Sequence, residues 1–140
     1  MTVDTAIIPC LRYEDAPGAI DYLCRAFGFE RHVVYTDPVD ASIITHAQLV
    51  LGRHMVMLGS VRREGTADIY GWRTAAEAGG VTGSLYVVVG YIEAHYERAR
   101  MAGVTFIREL HANEGYPGRG YEVRDPEGNV WSFGDYDPWV

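Results

Sequence analysis

The chain of 140 residues is 48% hydrophobic and 22% charged, which is ordinary for one globular domain or for two small repeated halves. Its formal net charge of −7 argues against binding to nucleic acid or to an anionic membrane surface, since both would require a basic patch. All twelve basic residues are arginine, so no lysine is available for Schiff-base chemistry. The start of the chain lacks a signal-like apolar run, and we expect a cytoplasmic protein.

The first half predicts a strand, a helix and three further strands. The strand covers residues 5–13, and the helix begins after Asp15 as N-cap, with Pro17 in its first turn and Gly28 at its end. Another strand follows over residues 29–36. Residues 42–51 and 55–59 then predict a hairpin around Gly52 and Arg53.

The second half repeats this order. A β-branched and aromatic run at 83–89 predicts a strand, and residues 92–102 predict a helix that ends at Gly103. Residues 104–110 predict a strand, and 121–124 with 129–136 a hairpin whose turn is Asp125-Pro126-Glu127-Gly128. Two modules, 1–59 and 83–140, are therefore expected, joined by a linker at 60–82. Linkers of this length tend to be lids or binding loops.

The paired modules, the opening "IIPCLRYEDAPGAIDYLCRAFGFE", the helix "EAHYERARMAGV" and the turn "RDPEGNVWSFGDY" together resemble the glyoxalase/bleomycin-resistance/dioxygenase superfamily, also called vicinal oxygen chelate proteins. The resemblance implies an α+β fold of two βαβββ modules. Their mixed sheets would form a cupped, open barrel with the helices outside and a ligand in the concavity. It also implies a homodimer.

Enzymes of this family hold a metal with one His, Glu or Gln on each of four strands. The resemblance carries those four places onto Ile8, Met57, Ser84 and Ser132. An isoleucine, a thioether and two neutral hydroxyls do not supply the carboxylate or imidazole donors that such ions need. We therefore expect a cup without the family's metal and without a cofactor.

Strand alternation predicts which side chains line the cup, because every second residue faces the same side. It directs Trp131 and Phe133 to the helices as core. Aromatic residues on the linker and on the loop "HANEGYPGRG" are candidates for stacking on a planar ligand, although Trp72 is equally able to plug the module junction. The candidate ligand-binding residues are His46, Gln48, Met57, Tyr70, Trp72, Ser84, Tyr86, Tyr116 and Ser132.

Three classes of function remain open. The first is a metal-free protein that sequesters a drug or metabolite, as the bleomycin-resistance branch of the family does. The second is a lyase, isomerase or dioxygenase of the superfamily that uses a relocated metal or acid–base residues such as His46 and Glu122. The third is an interaction module without a small ligand. Among the remaining polar residues, Glu109 and His111 are expected to share one face of a strand.

We predict that the purified protein carries no stoichiometric divalent metal, because Ile8, Met57, Ser84 and Ser132 occupy the four ligand places. Elemental analysis of protein purified without chelator measures this directly. About one zinc, iron, nickel or manganese ion per chain, removed by chelator with loss of function, would contradict the prediction.

We also predict a homodimer. An open cup leaves sheet edges and apolar rims exposed, and a two-fold partner would cover them. Multi-angle light scattering at tens of micromolar protein should give the mass of a dimer, and a monomer mass over that whole range would count against it.

Overall fold

The computed structural model describes residues 4–62 and 69–140 and divides the chain into two units, Met1–Thr74 and Ala75–Val140. Each unit contains a four-stranded mixed sheet and one long helix. No helix of the described residues has the length and apolar character needed to cross a bilayer. Of the predicted linker, residues 63–68 lie outside the described residues.

In the first unit the strand order is β1-β4-β3-β2, with β1 parallel to β4 and the other neighbours antiparallel. This is the predicted βαβββ order. The elements are β1 Cys10–Tyr13, α1 Ala16–Phe27, β2 Glu30–Thr36, β3 Ile44–Leu51 and β4 His54–Ser60.

The second unit repeats the pattern with the order β5-β8-β7-β6, and β5 is parallel to β8. A short helix, α2, precedes its first strand and was not expected from the sequence. The elements are α2 Ala75–Ala78, β5 Leu85–Val88, α3 Ile92–Met101, β6 Thr105–Ala112, β7 Arg119–Arg124 and β8 Val130–Gly134. The two βαβββ modules and the α+β class are thus confirmed.

The predicted signals at both ends of α1 are confirmed. Asp15 Oδ1 accepts a hydrogen bond from the amide of Gly18 at 3.0 Å, and Gly28 ends the helix in the left-handed region at φ 85°. Between these ends the apolar face is buried. Its buried members are Ala16, Ala19, Ile20, Leu23, Ala26 and Phe27.

The first strand is shorter than predicted: it begins at Cys10 instead of residue 5. Pro9 has no amide hydrogen, so the ladder ends there, and only its carbonyl still accepts a bond from Met57. Ile8 therefore precedes the strand and is exposed. Ser84 likewise precedes its strand, since β5 begins at Leu85.

The core of the second unit lies on one side of its sheet. Trp131 and Phe133 are fully buried there, with ring centroids 6.3 Å apart, while Ser132 between them faces the other side. Phe133 also meets His95 of α3, at 4.5 Å between ring centroids. The prediction that both aromatics face the helix is confirmed.

Asp125 organises the turn that joins β7 to β8. Its Oδ1 accepts hydrogen bonds from the amides of Glu127 and Asn129 at 3.0 Å each. Its Oδ2 accepts from the Asn129 side chain at 3.1 Å and from the Trp131 indole nitrogen at 3.2 Å. The turn closes at Gly128, whose φ of 96° favours glycine. A buried carboxylate thus anchors both the turn and the largest core side chain.

We predict that Asp125→Ala lowers the free energy of unfolding by about 2–3 kcal/mol, because it removes the carboxylate that accepts from the buried indole of Trp131 and from two turn amides. Denaturant unfolding followed by circular dichroism measures the change. The matched control is Asp21→Ala, which removes an exposed carboxylate whose ion pair with Arg25 spans 3.9 Å and should change stability by less than about 0.5 kcal/mol. Equal effects of the two variants would refute the role of the turn.

Candidate functional site

A cavity of about 230 Å³ lies in the second unit, on the side of the sheet opposite the core. Strands β5 to β8 form its floor, and residues 113–118, which join β6 to β7, form part of its wall. Three predicted ligand-binding residues line it together: Tyr86, Tyr116 and Ser132. The other lining residues are Arg108, His111, Asn113, Glu114, Gly120, Tyr121, Glu122, Phe133 and Gly134.

Strand pairing places the polar centre of this cavity. Glu122 on β7 is paired with Ser132 on β8, which is in turn paired with Tyr86 on β5. The three residues therefore form one row across the sheet. On the other side of β7, Arg108 of β6 is also in register with Glu122.

Glu122 lies between two basic side chains. Its Oε1 is 3.8 Å from a terminal nitrogen of Arg108 and 3.8 Å from Nε2 of His111. Both distances exceed that of a hydrogen bond. The other oxygen, Oε2, is shielded from solvent and has no hydrogen-bond partner within residues 4–62 and 69–140. This carboxylate therefore brings an unused acceptor to the lining of the cavity.

An irregularity in β6 brings Arg108 and His111 to the same carboxylate. A regular strand would send residues 108 and 111 to opposite faces, but the register with β7 shifts between them. The expectation that Glu109 and His111 share a face is therefore wrong. The Glu109 side chain accepts a hydrogen bond from Tyr96 of α3 at 2.8 Å, while His111 lines the cavity.

Tyr86 forms a fixed wall of the cavity. Its hydroxyl donates to the carbonyl of Tyr136 at 2.6 Å and lies over Gly134, where an added Cβ would come within 2.7 Å of the hydroxyl oxygen. Burial, followed by the nearby Tyr116 and Asp135, raises the pKa of Tyr86. The phenol therefore stays protonated at neutral pH, and 48% of the residue remains exposed for contact with a ligand.

Hydrogen bonds hold the loop that carries Tyr116. The Asn113 side chain donates to the carbonyl of Pro117 at 2.8 Å, and Asp135 Oδ1 accepts from the amide of Arg119 at 2.7 Å. Tyr116 meets Tyr136 edge to face at 5.1 Å and is 51% exposed. Its ring is therefore supported on one side and open on the other.

In the first unit, three other predicted residues share a sheet face. The side-chain nitrogen of Gln48 is 3.1 Å from Nε2 of His46, and Gln48 is paired with Met57 on β4. His46 also stacks on Tyr35, with centroids 6.3 Å apart. This polar pair beside a thioether is the arrangement that strand alternation predicts.

The two linker aromatics lie together, also in the first unit. Trp72 meets Tyr70 at 6.1 Å, and the Arg12 guanidinium lies 4.9 Å from the centre of the indole ring. Arg12 fills the space above Gly59, and its Nε is buried without a hydrogen-bond partner in the described part of the chain. Trp72 thus already has a stacking partner, which the sequence did not indicate.

The four places that the family uses for a metal do not fit one. Ile8 lies outside β1, Met57 offers a thioether, and Ser84 and Ser132 offer neutral hydroxyls. Among the residues that the structure describes, no three His, Cys, Asp or Glu side chains are grouped so that they could hold a metal ion. The sequence suggested His46 and Glu122 as partners, but they belong to different units. The basic neighbours of Glu122 are Arg108 and His111, which lie in its own sheet.

Comparison with known proteins agrees with this fold. Over 96% of its length, the chain is 29% identical to protein Mb0911c of Mycobacterium bovis, covering 85% of that protein. TioX from Micromonospora sp. ML1 superposes with a TM-score of 0.68 at 27% identity, over 93% of this chain and 97% of TioX. The fosfomycin resistance protein FosX from Listeria monocytogenes superposes with a TM-score of 0.70 at 11% identity, over 99% and 98% of the two chains, which shows the fold alone.

The model of one protein family matches residues 5–133, which is nearly the whole sequence. The chain therefore belongs to the Glyoxalase/Bleomycin resistance protein/Dioxygenase superfamily.

Proposed function

We propose that the protein binds and sequesters a small planar molecule, a drug or a metabolite, without a metal. The observation that carries this proposal is the cavity of the second unit, where Tyr86 and Tyr116 expose ring surface beside Ser132 and Glu122. Apolar ring surface supplies affinity in such sites, and a few polar atoms set the orientation of the ligand. The residues at the family's four metal-binding places lack carboxylate and imidazole donors, and this supports a site that works by binding alone.

The size of the cavity suits part of a drug-sized ligand better than the whole of one, since pockets for such ligands span about 300–1,000 Å³. A bicyclic aromatic group is the portion that the tyrosine walls would enclose. Tyr116 is preferred over Trp72 as the stacking platform, because the indole already lies against Arg12. The name of the family includes a bleomycin resistance protein, and FosX, which shares the fold, is named for fosfomycin resistance.

A second function is supported by one contact. His111 and Glu122 lie 3.8 Å apart and both line the cavity, so a substrate bound there would contact an acid–base pair. An acid–base enzyme of the superfamily, a lyase or an isomerase, would use such a pair. Product analysis of any bound compound by mass spectrometry separates the two proposals, because a sequestering protein returns its ligand unchanged.

We predict that Tyr116→Ala weakens the binding of a planar ligand by tenfold or more. Stacking on one ring contributes about 0.5–1.5 kcal/mol beyond the buried area, and tenfold corresponds to about 1.4 kcal/mol. The measurement is a thermal-shift screen of planar antibiotics and metabolites, followed by calorimetric titration of each hit against the variant.

The control is Tyr91→Ala, which removes an exposed tyrosine of the same unit that does not line the cavity. It should leave affinity within twofold of the parent. A hit that binds Tyr116→Ala as tightly as the parent would show that this loop is not the platform. Trp72→Ala in the same titration reports whether the first unit takes part.

A further inference from the structure

Glu122 lacks the hydrogen bonds that a carboxylate of its burial requires. Only 23% of its side chain is exposed, and neither oxygen has a hydrogen-bond donor at bonding distance in the described residues. A shielded acceptor without a donor costs free energy, and that cost is removed when a donor arrives. Glu122 lines the cavity, and its Oε1, the oxygen that faces Arg108 and His111, is in position to accept a hydrogen bond from a ligand.

His111 presents a second acceptor to the same space. Its Nδ1 lies 2.8 Å from the carbonyl oxygen of Glu109. A carbonyl only accepts, so Nδ1 carries the hydrogen, and in the neutral ring Nε2 is left with a lone pair. Nε2 faces Oε1 of Glu122 at 3.8 Å. A donor nitrogen placed to the side of this pair can lie about 2.9 Å from each of the two acceptors.

The surroundings indicate what carries this donor. The ring surfaces of Tyr86 and Tyr116 suit a flat group, and an aromatic face also attracts a cation. An amidine offers two N–H groups in one plane, one for Oε1 of Glu122 and one for Nε2 of His111. Arg108 is the competing cation, but 56% of its side chain is exposed and its contact with Glu122 is long, so it can turn towards solvent.

We infer that Glu122 and His111 form a recognition site for an amino or amidino group on a planar aromatic ligand. This inference rests on the proposed binding function and names the ligand class for the same cavity. Glu122 supplies the charge that selects a cation, His111 supplies the second acceptor, and the tyrosine walls hold the ring. An anionic ligand meets the negative charge of Glu122 instead and is repelled.

The test uses three probes of one shape: 2-naphthamidine, 2-naphthamide and 2-naphthoate. Calorimetric titration of the full chain should give the tightest binding for the amidine, at least tenfold tighter than for the naphthoate, with the amide between them. Glu122→Gln keeps the shape of the side chain and removes its charge. It should weaken amidine binding by tenfold or more and leave amide binding within twofold.

The matched control is Glu97→Gln, which removes the same charge from an exposed residue of the same unit that does not line the cavity. It should change amidine affinity by less than threefold. An equal loss in both variants would show that only the general negative field matters, and the inference would fall.

The remaining outcomes separate the inference from the proposed function. Equal binding of the three probes, or preference for the naphthoate, overturns the inference and leaves a binding cavity. If no probe binds at millimolar concentration while a compound from the screen does, the inference alone is wrong. If neither the probes nor the screen give a ligand, both the inference and the proposed function fail.

Discussion

The carboxylate of Asp125 determines how β7 pairs with β8, and the cavity depends on that pairing. By binding two amides of the turn together with the indole of Trp131, it ties the start of β8 to one alignment. A slip of one residue would exchange the two faces of the strand. Trp131 would then point into the cavity, and Ser132 would lose its place beside Glu122.

The alternation of side chains along each strand gives the two faces of the second sheet different roles. Large apolar side chains on one face pack near α3, which leaves the other face free for polar and half-exposed groups. A cavity can carry an unsatisfied carboxylate because the opposite face supplies the packing that stabilises the unit. Such departures from full hydrogen bonding are typical of functional sites.

The sequence predicted the order of the elements, because capping residues and turn residues act locally. Asp15, Gly28 and the Asp125–Gly128 turn all perform the expected roles. It predicted the first strand too long because the apolar run through Ile8 hides the effect of the missing amide at Pro9. The helix α2 was missed within a segment that lacked any clear periodicity.

Prediction of the site was less complete for a physical reason. Strand alternation correctly grouped Tyr86 with Ser132 because both lie on regular strands. It did not group Arg108 and His111 with Glu122, since a shift of register in β6 breaks the period of two between them. The stacking of Arg12 on Trp72 depends on the path of a loop, which no periodic pattern encodes.

Both units cover a glycine of their last strand with a long side chain from their first. Arg12 lies over Gly59, and Tyr86 lies over Gly134. The backbone is alike in the two halves, but the covering group is a cation in one and a phenol in the other. The identity of one covering residue therefore gives each half a different chemistry at the same place in the fold, while the backbone beneath it stays the same.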